Sequence, residues 1–522
     1  MVQKQFQVSK IALGAKLLAG AIAFSAMGNA FAADDTARYI VTFQAGKSGN
    51  IKQHVAKLKG KLKHEVFGAD AMAVELSKAE LANLKKHADV IDVEEDVKRY
   101  PFATTSPSTG TPYQLGQLVP WGIKATQADQ LSDANTANRK VCIIDSGYDR
   151  AHEDLNGNNV TGEYDSGTGW WYTDENHHGS HVAGTIAAIN NSGTGVVGVN
   201  PNKNLKLHIV KVFGADGWAY SSTLATAVNK CVTAGANVIS MSLGGGGSSK
   251  TEQRAFDSAQ SKGILSIAAA GNDGNTVVSY PAGYSSVMMV AAVDEFKKWA
   301  TFSQYNSKVE ISGPGVAVLS TVPMGAGSES HLTVGASTYA PGDMDGSPKL
   351  SRTAPLADFG LGDAVNSAVS GKVCLIQRGT VDFATKVSNC QASGGVGAIV
   401  YNNAAGAFGG TLGTTVTSIP SVTATDVDGA AMKAQLGQSA TVEVKATNYA
   451  FFDGTSMATP HVSAVAALVW SYFPTCTGSQ IRSSLTKSAL DLETAGKDNK
   501  TGYGMVQAKA AYDRIKSLGC GN

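Results

Sequence analysis

The strongest constraint on how this chain can fold is a set of short apolar runs at residues 140–144, 207–212, 238–242, 264–269 and 287–292. Each is strand-length and bounded by turn residues, and helical segments at 221–233 and 252–261 fall between some of them. Runs that are apolar on both faces need cover on both faces, which a parallel sheet layered between helices supplies. The expectation is a three-layer α/β domain with a mostly parallel sheet, beginning near Gln117. In such folds chemistry gathers at the carboxyl ends of the strands.

Two stretches depart from this pattern. Residues 33–102 are highly charged, with strands expected at 38–43, 71–76 and 90–93 and an amphipathic helix in the Lys-rich stretch up to Leu62. Ser77 opens a second helix, with Glu80 three residues on completing a capping box. This is a small α+β, ferredoxin-like unit of βαββαβ order, followed by a polar linker at 103–116. Residues 325–446 are rich in Gly, Ala, Ser, Thr and Val, with strand-like 373–376, 398–401 and 421–423 and helical 385–393 and 426–435. They read as a mainly β inserted domain that divides the α/β domain into 117–324 and 447–522.

Lys4, Lys10 and Lys16 precede an apolar run at 17–24, and Ala30-Phe31-Ala32 offers small residues for cleavage, so residues 1–32 read as a secretory signal. A membrane anchor is the alternative, but the run is short of the roughly 20 residues a bilayer span needs. Export makes the six cysteines disulfide candidates. Cys374–Cys390 and Cys476–Cys520 are the local pairs, which leaves Cys142–Cys231 or two buried free thiols. No Cys-x-x-Cys pair suggests zinc. A formal charge of +1 gives no basic field to recommend nucleic acid.

Three polar residues stand at element ends. Asp145 closes an apolar strand before Ser146-Gly147, and His178 opens the block His178-Gly-Ser-His-Val-Ala-Gly-Thr185. Ser456 lies in Gly454-Thr-Ser-Met-Ala-Thr-Pro-His461, which opens an apolar helix. A hydroxyl, an imidazole to take its proton and a carboxylate to fix the imidazole are the parts a serine hydrolase needs. A helix N-terminus also favours developing negative charge.

These blocks, in the order Asp, His, Ser, together with Ala268-Ala-Ala-Gly-Asn-Asp-Gly274, resemble the subtilisin family of serine endopeptidases. The resemblance implies that Asp145 orients the imidazole, His178 is general base and then acid, Ser456 is the nucleophile and Asn272 donates to the oxyanion. His177 would then be a neighbour and His181 structural. Ser242, Leu243 and Gly244 match the strand that pairs with extended substrate, and with Ala269 and Gly271 they would wall the primary specificity pocket. Neither segment is acidic, so large apolar or aromatic side chains are expected there. A structural calcium ion is implied at Gln117, Asp154, Ile189, Asn191, Thr194 and Val196, all offering the oxygen ligands a hard cation takes.

Residues 33–102, with Val93-Glu-Glu-Asp96 near their end, resemble the inhibitory propeptide of this family, so the chain's own N-terminal domain is an expected intramolecular inhibitor. The insertion resembles a protease-associated (PA) domain through Gly371-Lys-Val-Cys-Leu-Ile-Gln-Arg-Gly379 and Gly397-Ala-Ile-Val-Tyr-Asn-Asn403. It would exclude or dock substrate beside the cleft, or act as a spacer. The expected partners are protein and peptide substrates, for a secreted monomer without nucleic acid or membrane anchor. A scaffold without activity would show a damaged block, and none is damaged; an esterase or acyltransferase would have no motif of its own here.

Overall fold

The computed structural model describes residues 36–101, 104, 105, 117–191, 193 and 195–522. The expected signal at 1–32, Phe102, most of the linker, and Thr194 lie outside the described residues.

Seven strands form the central sheet, ordered Val309–Pro314, Val287–Val293, Leu265–Ala269, Val238–Met241, Lys140–Asp145, Lys206–Lys211 and Asn159–Gly162. Every neighbouring pair is parallel. Alternate residues of one strand feed two different cores: Val141 and Ile143 join the layer holding the helix Thr455–Tyr472, while Cys142 and Ile144 join the layer holding Ser221–Thr233 and Lys250–Ser261. That two-sided burial is why these strands read as unbroken apolar runs. Cys142–Cys231 ties the strand ending in Asp145 to the helix Ser221–Thr233, and Cys374–Cys390 and Cys476–Cys520 are also bonded.

The N-terminal unit is a four-stranded antiparallel sheet, ordered Lys61–Glu65, Ala71–Ser77, Thr36–Phe43 and Val90–Glu95, with helices Ser48–Lys57 and Lys78–Leu84. The capping box forms as expected: Ser77 N–H donates to Glu80 at 2.7 Å, and Glu80 N–H donates to Ser77 Oγ at 3.3 Å. The first helix stops at Lys57 rather than reaching Leu62. Lys59 takes a left-handed φ of 61°. A Cβ at Gly60 would stand 2.2 Å from Leu76. The chain therefore turns there, and Lys61–Glu65 becomes an edge strand.

Strands Val318–Thr321 and Tyr449–Asp453 pair antiparallel, and the nine-stranded sheet of the insertion lies between them in sequence. Val322 N–H donates to the Asn448 carbonyl at 2.8 Å, closing the neck. The insertion's helices are Phe383–Ala392 and Asp426–Lys433. Its long strands Gly327–Val334, Ser351–Asp358 and Ser439–Thr447 carry too many polar residues to stand out in the sequence.

Candidate active site

Asp145 is the last residue of its strand and is wholly buried. Its Oδ1 accepts the Ser146 N–H at 2.7 Å and faces His178 Nδ1 at 2.7 Å. His178 is the first residue of the helix His178–Ala187. Asp174 fixes that helix start, a residue the sequence reading passed over: its carboxylate accepts the N–H groups of His177 at 2.9 Å and Ser180 at 2.7 Å and the Ser146 hydroxyl at 2.7 Å. The signal is an acidic residue four positions before the helix-opening His178. Backbone meets backbone between the Asp and His blocks. A Cβ on Gly179 would lie 2.3 Å from the Gly147 carbonyl oxygen, so only glycine fits.

With Nδ1–H committed to Asp145, His178 Nε2 is the proton-accepting nitrogen, and it is buried without a hydrogen-bond partner among the described residues. Ser456 lies in the first turn of Thr455–Tyr472, which packs against the His178 helix. Its hydroxyl donates to the Ser242 carbonyl at 2.8 Å, and the Ser242 hydroxyl donates to the Ser456 carbonyl at 2.7 Å. Asn272 Oδ1 accepts both the Thr455 N–H, at 2.9 Å, and the Thr455 hydroxyl, at 2.8 Å. Its Nδ2 is thereby turned away from Thr455. Ala269 ends a buried strand beside it, and Gly271 holds φ +110° with Gln304 occupying the space a Cβ would need.

The two neighbouring histidines serve the scaffold. Buried His181 faces the carbonyls of Val318 and Ala450 and stacks on Phe452 at 4.3 Å. Burial pushes its pKa down to about 3. His177, half-buried, takes the left-handed φ of 71° that starts the helix.

Leu243 and Gly244 pair with a strand from the chain's own N-terminal segment. Strand Lys98–Pro101 lies between Ala219–Tyr220 and Leu243–Gly244 as the middle of a three-stranded sheet, with Pro101 opposite Leu243 and Tyr100 opposite Gly244. Residues 104 and 105 pair with Asp453 and Phe452. Just upstream, Glu94 accepts the N–H groups of Lys250 at 2.6 Å and Thr251 at 2.8 Å, and Asp96 accepts that of Ser222 at 2.9 Å. Two carboxylates of the N-terminal unit thus cap two helices of the α/β domain.

Five of the six expected calcium-site residues converge. Gln117 Nε2 lies 2.6 Å from the Ile189 carbonyl, 3.1 Å from that of Val196 and 3.2 Å from Asn191 Oδ1. Asn191 Nδ2 lies 2.6 Å from Asp154 Oδ1. The carboxylate of Asp154 is buried, and burial pushes its pKa up. A cluster of carbonyl and amide oxygens around one buried carboxylate is the donor set of a hard cation, and turning the Gln117 amide would present its oxygen to the same point. Among the described residues no group of three or more His, Cys, Asp or Glu side chains could hold a metal.

A parallel α/β sheet with the Asp block at a strand end and the His and Ser blocks at helix starts, carrying a PA domain, defines the class: a subtilisin-like serine endopeptidase. The chain belongs to the subtilase family. The subtilase family model matches residues 136–357 and the PA domain model residues 338–432. The chain is 37% identical over 298 residues to subtilisin amylosacchariticus of Bacillus subtilis subsp. amylosacchariticus, covering 55% of this chain and 74% of that protein. It is 46% identical to the crystal structure of a psychrophilic subtilisin-like protease from the Antarctic psychrotroph Pseudoalteromonas sp. AS-11, covering 78% of this chain and all of the other, with a TM-score of 0.59. Fervidolysin from Fervidobacterium pennivorans, a keratinolytic enzyme related to subtilisin, shares the fold at 23% identity and a TM-score of 0.58, covering 92% of this chain and 61% of that one.

Proposed function

We propose that this subtilase is a secreted, self-processing endopeptidase in which Ser456, His178 and Asp145 act as the triad. The buried Asp145–His178 contact of 2.7 Å, made by a helix packed against the one that carries Ser456 in its first turn, is the observation that carries this reading. Ser456 Oγ leaves the Ser242 carbonyl, gives its proton to His178 Nε2 and bonds to the scissile carbonyl carbon. Asp145 stabilises the imidazolium, and Asn272 Nδ2 donates to the oxyanion. His178 then protonates the departing amine, and water releases the acyl group by the reverse sequence.

Residues 33–102 act as a temporary inhibitor, held as a bound strand in the cleft and by the helix caps from Glu94 and Asp96. The lack of acidic residues in Ser242–Gly244 and Ala269–Gly271 favours large apolar or aromatic side chains at the cleaved residue. Gln117, Asp154, Ile189, Asn191 and Val196 would hold a calcium ion, which when bound ties residue 117 to the loop after the His178 helix. Among the described residues no helix is long and apolar enough to cross a membrane.

Expressing Ser456→Ala tests the core of this reading. The variant should hydrolyse no casein beyond background and accumulate uncut, because the same hydroxyl would cut residues 33–102 away. A processed, active Ser456→Ala protein overturns it.

A further inference from the structure

The strand held in the cleft carries an arginine that is buried as deeply as any core residue. Arg99 and Glu252 are both 0% exposed. Their contact is bidentate, with Nε donating to Oε1 at 2.9 Å and Nη2 to Oε2 at 2.5 Å. The remaining guanidinium donors reach the Gly246 carbonyl at 3.3 Å, the Gly247 carbonyl at 3.2 Å and, within the strand itself, the Lys98 carbonyl at 3.1 Å. Tyr284 completes the cradle by donating its hydroxyl to Glu252 Oε2 at 2.6 Å. Glu252 stands in the first turn of the helix Lys250–Ser261, and Tyr284 follows the strand Leu265–Ala269. The acceptors from Glu252, Gly246 and Gly247 belong to the α/β domain, so they stay behind when residues 33–102 depart.

Register fixes where this pocket lies relative to the chemistry. Pro101 faces Leu243 and Tyr100 faces Gly244, so Arg99 is the fourth residue before a bond cut after Phe102. The chain runs close at this point: a Cβ on Gly245 would lie 2.6 Å from the Lys98 carbonyl oxygen. An extended substrate pairing with Leu243–Gly244 in the same register would deliver its own fourth residue to Glu252.

We propose that Glu252 makes the mature enzyme selective for arginine at the fourth residue before the scissile bond, through the cradle of Tyr284 and the Gly246 and Gly247 carbonyls. With Arg99 gone, the Glu252 carboxylate keeps one side-chain donor in Tyr284 and its charge is left unpaired. A substrate guanidinium restores the bidentate pair, whose planar fork an aliphatic side chain cannot imitate and an ammonium matches only in part. Selectivity at this cleft would therefore have two determinants: an apolar pocket at the cleaved residue and an anionic one three residues upstream.

This inference rests on the reading of residues 33–102 as a removable inhibitor, and the test separates the two. The mature wild-type enzyme is assayed with succinyl-X-Tyr-Pro-Phe p-nitroanilides, where X is arginine, lysine, citrulline or leucine. Citrulline keeps the shape of arginine and removes its charge. The expected kcat/KM for arginine exceeds that for citrulline and leucine by about tenfold or more, with lysine between. In Glu252→Gln the arginine-to-citrulline ratio should fall to about twofold or less. Equal rates for arginine, citrulline and leucine in the wild type overturn the proposal while leaving the endopeptidase reading intact. If the variant does not mature, the wild-type series alone decides. Hydrolysis of none of the peptides would sink both.

Discussion

Thr455 holds Asn272 by two hydrogen bonds to one oxygen, from its backbone N–H at 2.9 Å and its hydroxyl at 2.8 Å. It is the residue directly before Ser456, so the proposed oxyanion donor and the proposed nucleophile are set by one helix turn. The Gly271 N–H also donates to the Thr455 hydroxyl, at 3.1 Å. Thr455 touches no reacting atom and is a positioning residue. Thr455→Val keeps the shape and the N–H bond but removes the hydroxyl bond to the Asn272 oxygen, loosening the aim of the amide. Losing the donor outright costs about 10²–10³ in turnover in subtilisin; a misaimed one should cost about tenfold, in kcat with KM little changed. Thr455→Ser should restore the rate. A Thr455→Val enzyme with native kcat would show that the backbone bond alone fixes Asn272.

Calcium removal should weaken the fold before it touches the chemistry. An ion bound only by the native state stabilises it by about 2.7 kcal/mol when present at 100 times its dissociation constant. Chelator should therefore shorten the half-life of thermal inactivation, with kcat at low temperature unchanged. Asp154→Asn keeps the buried shape but removes the charge, and should behave like chelated wild type with no gain from added calcium. Thermal inactivation indifferent to chelator would reduce this cluster to a hydrogen-bonded turn.

Acid should destabilise the protein through two buried histidines. Burial pushes His181 down to about 3 and His461 down to about 4, from 6.5. Below pH 6.5 the unfolded chain takes up protons that the folded chain refuses. Stability is thus full above pH 6.5 and falls with pH until each folded value is reached. At pH 4.5 each site should account for about 2–3 kcal/mol. His461 Nδ1–H donates to the Met457 carbonyl at 2.8 Å, and the ring is wholly buried. Urea unfolding of uncut Ser456→Ala at pH 7 and 4.5 gives the total loss. Adding His461→Gln should reduce that loss by one site's share, and an unchanged pH dependence would remove His461 from the account.

Much of this was legible because the chemistry sits in contiguous blocks. Asp145, His178 and Ser456 each lie at or beside an element end with its own local signal, a strand end or a helix start, so their places in the fold follow from the fold class. Thr455 and Glu252 left no such trace, since their roles depend on neighbours 183 and 153 positions away, whereas Asp174 shows only as an acidic residue before a helix start. The helix end at Lys57 was misread because a Lys-rich polar pattern continues through the Lys59-Gly60 turn into an edge strand, where polarity is also tolerated. In the insertion, the short buried strands were readable and the long half-exposed ones were not.

The insertion should govern access to the cleft more than the chemistry. Its neck closes between Val322 and Asn448, next to the strand Tyr449–Asp453 that leads to Ser456. Replacing residues 325–446 with a short linker leaves that neck bonded. Rates on a small chromogenic peptide should then stay within about threefold, while the rate on casein changes by more. Equal effects on both substrates would argue for a structural spacer.

The first maturation cut should fall after Phe102 rather than after Tyr100. Both residues are aromatic and either suits an apolar pocket, so side-chain preference does not decide. Cutting after Tyr100 would break a Tyr–Pro bond, whose tertiary amide and fixed ring fit a protease poorly. The pairing of strands supports the same answer. Pro101 is committed opposite Leu243, whereas residues 104 and 105 are committed on the other side, opposite Asp453 and Phe452. Only the two residues joining these strands remain for the cut, and Ser456 follows Asp453 by three positions. The mature chain would begin at Ala103, and the Thr-, Ser-, Pro- and Gly-rich leader before Gln117 should be trimmed later to an N-terminus near Gly116. N-terminal sequencing of the earliest product should read Ala-Thr-Thr-Ser. A first product beginning at Pro101 would shift the bound strand by two residues, placing Pro101 beyond the cut and Val97 where Arg99 is expected to fill the pocket of Glu252.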